Sequence, residues 1–265
     1  MSRIRTTGTI TKIAEYNLQR DRRVLGQRWL STYGGWFADE ENIQSFIDAL
    51  KPLLPNKELD VLYVASASGL LGERLLEELG RGTLTLVDIS QEHLDENKNL
   101  NTKKIKADLQ QLDLDQKFDL VIMRSSLDYF PTQSLQVEVL KVIKNHLKSD
   151  GLFVNQPAYI SNIHNRDIIS QVYNATDKIG KRLFQSSDIE SLYSQAGFSA
   201  PQKIGDGKVM RISEKDHSER YDLTPADIRE LQNILSKATA NGRVTREGYE
   251  LEFEFPIFLS GINHG

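Results

Sequence analysis

The sequence contains no cysteine in 265 residues. Disulfides, thiolate zinc sites, thiolate-held iron–sulfur clusters and cysteine nucleophiles are therefore excluded. With nothing to oxidise, the redox compartment leaves no trace, and the cytoplasm is the default expectation. Long apolar runs are missing too. None approaches the roughly 18 residues of a spanning helix. The opening MSRIRTTGTITKI has no apolar stretch of the secretory kind. No membrane association is expected. Histidine is sparse, and His217, in SEKDHSER, has no second histidine at metal-ligand spacing, so no metal is expected. The composition is otherwise ordinary, with 39% hydrophobic residues, 26% charged residues and a formal charge of -4. Disordered and low-complexity classes are excluded, and the chain is long enough to bury a real core.

The small net charge hides a division. Residues 1–30 carry Arg3, Arg5, Lys12, Arg20, Arg22, Arg23 and Arg28 against only Glu15 and Asp21. A basic arm can meet phosphates or an acidic partner. The simpler expectation is a solvated helix face.

From residue 39 on, short apolar strands alternate with amphipathic helices. Asp39 can cap a helix running to Leu50, with Ile43, Phe46, Ile47 and Leu50 spaced three and four apart, and Pro52 and Pro55 stop it. LDVLYVA (59–65) is an apolar run of the kind found in a strand covered on both faces. A helix from Gly69 to Leu79 follows, with Gly80 as its C-terminal cap. Further strands are expected at 83–88, 103–108, 118–124 and 152–156, with helices from Ser90 and over 135–147. Strands joined through helices imply right-handed crossovers and a mostly parallel sheet covered on both faces. After Pro157 the rhythm changes. A helix is expected around 168–177, a capping box at Ser187-x-x-Glu190, a hairpin around Gly205-Asp206-Gly207 and a helix opened by Thr224-Pro225. The alternating YELEFEFPIFLSGI (249–262) reads as a late antiparallel strand.

The chemistry concentrates in VASASGLLG (64–72), between the first strand and its helix. Small residues there let backbone N–H groups approach a ligand at a helix N-terminus. Ala67-x-Gly69-x-x-Gly72 comes close to a dinucleotide fingerprint, and Ala65-x-Ala67-x-Gly69 comes close to a methyl-donor turn. Alanine fits such a turn where its φ is negative. Asp88 ends the second strand, where a short carboxylate can accept two ribose hydroxyls. Asp108 ends the third, and RSSLDYFP follows the fourth. All of these positions fall on the carboxyl edge of the sheet, where open parallel sheets bind ligands.

Taken together, VLYVASASGLLGERL, LTLVDIS, KADLQQL, FDLVIMRSSLDYF, LKSDGLFVN and SSDIESLYSQAGF resemble the class I S-adenosylmethionine-dependent methyltransferases. The resemblance runs from about Asp39 to the C-terminus. It departs from the family pattern where Tyr63 stands in place of the usual acid and alanines replace two glycines. It implies an α/β fold with a doubly wound, mostly parallel seven-stranded sheet, an antiparallel last strand and helices on both faces. It implies S-adenosylmethionine as cofactor, with Ala65, Ser66, Ala67 and Gly69 along its methionine part. Asp88 would hold the ribose and Ile89 would lie against the adenine. Asp108 and Leu109 would meet the adenine edge, and Arg124 and Ser125 would lie beneath the donor. The expected organisation is an N-terminal helical arm or lid over 1–38 and a methyltransferase-like domain over 39–265, with inserted segments near 157–186 and 213–245.

Such an enzyme works by direct displacement on an activated methyl group, so positioning matters most and a base is needed only for a nucleophile that must lose its proton. Asp128 and His164 are the candidate bases. Tyr33, Trp36, Tyr129 and Tyr159 are the candidate acceptor-binding residues, and Tyr16 and Trp29 join Tyr33 and Trp36 in an aromatic group. His93 and His146 read as surface residues. RSSLDYF is not the motif of exocyclic base methylation, and a cysteine is lacking for cytosine C5 chemistry. A small-molecule acceptor is expected, with nucleic acid open but not favoured and the oligomeric state unassigned. The alternatives are a non-catalytic binding protein of the same fold and, behind it, an NAD(P)-dependent oxidoreductase.

Overall fold

A computed structural model describes residues 10–24, 30–177, 179–184 and 186–263, without the side chains of Arg23, Val24, Ser186 and Ser187. Of the positions singled out above, Arg3, Arg5, Arg28 and Trp29 lie outside the described residues, as do the side chains of Arg23 and Ser187.

The first helix, α1 (Lys12–Val24), is followed by α2 (Glu40–Leu50), whose first turn is capped by Asp39 accepting from the Asn42 N–H. The alternation then runs β1 (Asp60–Val64), α3 (Leu70–Leu79), β2 (Thr83–Asp88), α4 (Gln91–Glu96), β3 (Lys103–Lys106), β4 (Phe118–Arg124), α5 (Gln133–Asn145) and β5 (Leu147–Gln156). These five strands pair in parallel. The remaining elements are α6 (Ile163–Thr176), α7 (Ser186–Ala196), β6 (Gln202–Ser213), α8 (Glu214–Tyr221), α9 (Pro225–Leu235), β7 (Gly242–Thr245) and β8 (Gly248–Gly261). The sheet order is β3-β2-β1-β4-β5-β8-β6, with β7 beside the start of β8. β8 runs antiparallel to both β5 and β6.

The two-residue period of the strands sorts the core into two layers. Val61 and Tyr63 pack under α2 and α3 with Ile47, Leu71 and Leu75. Leu62 and Val64 face the other way, toward α5 and α7 with Leu140, Ile143 and Leu192. A third cluster joins Trp36 and Phe37 to α6, α9 and the long strands β6 and β8.

Three sequence expectations are corrected. The sheet has eight strands rather than seven, because the segment before the last strand folds back as β7. No hairpin forms at Gly205-Asp206-Gly207, which lies within β6. Close approach explains these glycines. A Cβ on Gly205 would stand 2.9 Å from Ala49 Cβ, and one on Gly207 would stand 2.4 Å from Gln156 Nε2 and 2.9 Å from Asn42 Oδ1. His93 and His146 are buried rather than on the surface. His146 Nε2 accepts from the Leu114 N–H at 2.9 Å, a partner distant in sequence.

Candidate active site

The turn after β1 is built on left-handed backbone. Ala65 has φ +47°, Ala67 φ +48° and Gly69 φ +75°. The condition under which alanine fits such a turn without strain is thus not met. The turn keeps the backbone of a glycine-rich loop and carries alanine on it, at a steric cost of about 1–2 kcal/mol per residue. What holds it is visible. Asp88, at the end of β2, accepts from the Ala67 N–H at 2.8 Å and from the Ser90 N–H at 2.9 Å. Gly69 stands where a Cβ would come within 2.4 Å of Leu86, so packing as well as φ demands glycine there.

Along the carboxyl edge of the sheet lies an open cleft. It brings together Ala65, Asp88, Ile89, Asp108, Leu109, Arg124 and Ser125 from the expected set. Ser66, Ala67 and Gly69 do not line it. The opposite wall is α1, through Ile13, Ala14, Asn17, Leu18, Arg20 and Asp21. The N-terminal end of that helix docks at Asp108, whose Oδ2 accepts from the Thr11 N–H at 2.9 Å. Burial pushes the Asp88 carboxyl above its ordinary range, against the pull of His93 and of its two backbone donors. Burial likewise pushes Arg124 down, and the Tyr63 hydroxyl opposes this. Arg124 donates to Gln156 Oε1 at 2.8 Å and stacks 4.5 Å from the Trp36 ring. Trp36 is therefore buried support rather than cavity wall.

A second, smaller cavity adjoins the first. Ser125 and Tyr129 line both. Its walls come from Tyr33, Phe37, Asp128, Tyr173, Lys181 and Arg220, with apolar residues of β6 and β8. Asp128 Oδ2 accepts from Lys181 Nζ at 3.0 Å. Arg220 donates to Tyr129 Oη at 2.6 Å and Asp21 Oδ1 at 2.9 Å, and also to Tyr33 Oη. Burial alone would raise Asp21, yet Arg20 and Arg220 together hold it at about 2.

Among the expected acceptor and base residues, Tyr33, Tyr129 and Asp128 meet here. His164 does not. It is exposed on α6 with Nε2 against the Lys237 carbonyl, outside both cavities. Tyr159 is also elsewhere, bridging the backbone of Glu254 and packing on the core under α5 and α7. Sequence reasoning missed Lys181, Arg220 and Tyr173, and it read Arg20 as solvated. Arg20 is buried between Asp21 at 3.0 Å and Asp177 at 3.1 Å. The signal available was an Arg-Asp pair in the middle of an amphipathic helix. Its partners Asp177 and Arg220 are far away in sequence.

Residues 62–153 match a family model described as a methyltransferase domain. No curated protein matches the chain. Solved structures of similar fold include YcgJ from Bacillus subtilis, with 14% identity and a TM-score of 0.68 over 85% of this chain and 99% of that one. Another is an S-adenosylmethionine-dependent methyltransferase from Clostridium acetobutylicum, with 14% identity and a TM-score of 0.53 over 89% and 98%. A third is the sugar N-methyltransferase KedS8 from Streptoalloteichus, with 15% identity and a TM-score of 0.54 over 91% and 94%. At such identities the likeness establishes the Rossmann-like fold. No helix among the described residues is long and apolar enough to cross a membrane.

Proposed function

The chain carries a class I S-adenosylmethionine-dependent methyltransferase domain, and on that premise we propose that it methylates an O, N or C nucleophile of a small molecule held in the smaller cavity. One observation carries this reading: two cavities of different character share Ser125 and Tyr129. In-line transfer needs donor and nucleophile to meet at one point while each is held separately.

The residues of the larger cleft fit the donor. Asp88 and Asp108 each spend one lone pair per oxygen on protein N–H groups. An ionised carboxylate has about four acceptor positions, so both retain capacity for hydroxyl or amino hydrogens. Ile89 and Leu109 offer apolar surface to a flat base. When bound, the donor supplies a methyl group already activated by its sulfonium. The chain's task is then to orient, exclude water and take a proton. Asp128 is the residue suited to the last step, with Oδ1 buried and without a hydrogen-bond partner among the described residues. The neighbour named as a sugar N-methyltransferase supports a small-molecule acceptor.

Calorimetry with S-adenosylhomocysteine tests the donor assignment. Binding is expected for the wild-type chain and not for Asp88→Ala, while NAD(P) binds neither. At 100 times its dissociation constant the ligand should add about 2.7 kcal/mol of stability. Absence of wild-type binding would remove the donor assignment, and retention by Asp88→Ala would redraw the site.

A further inference from the structure

The helix α1 is held to the rest of the molecule by polar groups more than by packing. Its described aliphatic side chains, Ile13, Ala14 and Leu18, all line the larger cleft. None of them joins the three core clusters. The polar ties reach separate elements. The Thr11 N–H, just before the helix, donates to Asp108 beyond β3, and the exposed Arg22 pairs with Glu92 of α4 at 2.9 Å. Arg20 pairs with Asp177 at the end of α6 at 3.1 Å, and Asp21 with Arg220 of α8 at 2.9 Å. The last two pairs form a cluster whose charges divide evenly. Arg20 and Asp21, 3.0 Å apart, belong to α1, while Asp177 and Arg220 belong to the body. Lifting α1 away therefore leaves no net charge on either side, which lessens the penalty of breaking buried ion pairs. A helix of 13 residues is marginal by itself in water. Elements with few core contacts open at the lowest free energies.

We infer that α1 is a strap that opens and closes over the larger cleft, and that the bound donor holds it shut. A flat base lying on Ile89 and Leu109 has a second face, and Ile13, Ala14 and Leu18 stand on the wall opposite. Filling that gap gives the strap the packing it lacks. A ligand shifts an equilibrium only through contacts made in one state and not the other, and contacts to α1 exist only when the strap is shut. Asp177 and Arg220 form the latch. They hold Arg20 and Asp21 without lining the larger cleft themselves. Trp36 and Phe37 are buried in the core, so the strap ends before them and does not include the whole arm over 1–38. The inference rests on the reading that the larger cleft takes the donor.

Hydrogen exchange of the full chain, with and without S-adenosylhomocysteine, tests the strap. In the free chain the amides of α1 should exchange about tenfold faster, or more, than those of β1 and β4. Asp177→Asn should speed α1 by about tenfold again while the strands keep their rates. Should that variant fail to fold, Arg22→Gln loosens the same helix at an exposed pair, with an expected gain of about twofold. Saturating S-adenosylhomocysteine should slow α1 by about tenfold, and by more than α5, which borders neither cavity. If α1 exchanges in step with β1 and β4, or if bound S-adenosylhomocysteine leaves its rates unchanged, the strap is overturned. Calorimetry on the same samples reports whether S-adenosylhomocysteine binds at all. A chain that does not bind it counts against the donor reading, and the free-chain rates still decide whether α1 opens.

Discussion

Ala67 shows most directly what single residues decide here. Its φ of +48° is a conformation that glycine adopts freely and alanine resists. The residue is held there because Asp88 accepts its N–H from the next strand. Its side chain does not line the cleft. Ala67→Gly should therefore stabilise the fold. The relieved strain of about 1–2 kcal/mol exceeds the extra unfolded-state freedom of glycine, about 0.4–1 kcal/mol. A net gain near 0.5–1 kcal/mol is expected as a higher urea midpoint at unchanged slope. A lower midpoint would mean that the alanine methyl contributes packing worth more than the strain. The small residues of this turn were legible in the sequence. The sign of φ was not, because it depends on the carboxylate that pins the loop from β2.

At the scale of elements, α8 shows how far burial departs from polarity. EKDHSERY is a charged stretch by sequence, yet its His217, Arg220 and Tyr221 are buried. His217 is ringed by Tyr173, Tyr221 and Tyr249, and its Nδ1 lies 2.7 Å from the Tyr249 hydroxyl. Burial, aided by the nearby Lys181 charge, lowers its pKa to about 3. The sign follows. The unfolded chain takes up a proton near pH 6.5 while the folded chain refuses it until about 3. The neutral histidine is therefore fully compatible with the fold above 6.5, and stability drains as pH falls toward 3. The slope approaches 1.4 kcal/mol per pH unit for one proton. His217→Gln should flatten the stability profile between pH 6 and 4 relative to wild type. His146, also held down by burial, sustains a residual slope. An unchanged profile would show that His217 protonates in the folded state. A similar inversion affects α1, where Arg20 is the centre of a buried ion cluster instead of part of a basic surface.

For the whole molecule, the link between sheet and site runs through Gly207. A Cβ there would collide with Gln156 Nε2 and Asn42 Oδ1, both fully buried. Gln156 in turn accepts from Arg124, which lines the larger cleft. Gly207→Ala is expected to destabilise by about 1–3 kcal/mol, the usual range for overpacking. Because Gln156 must give way, affinity for S-adenosylhomocysteine should fall with it, although residue 207 lines neither cavity. Urea unfolding and calorimetry on one preparation check both effects. Intact affinity would show that Arg124 does not depend on Gln156 for its position.

The sequence by itself determined the parallel α/β core, the antiparallel final strand and the two acids, Asp88 and Asp108, at the sheet edge. These follow from local signals: apolar period, caps and the end of each strand. Only the tertiary structure decided which side chains gather in and beside the smaller cavity. Asp21, Tyr33, Asp128, Tyr129, Lys181 and Arg220 come from segments up to 199 residues apart. Their charges cancel within one buried cluster, and no local pattern distinguishes a charge that will be paired in a core from one that will stay in water.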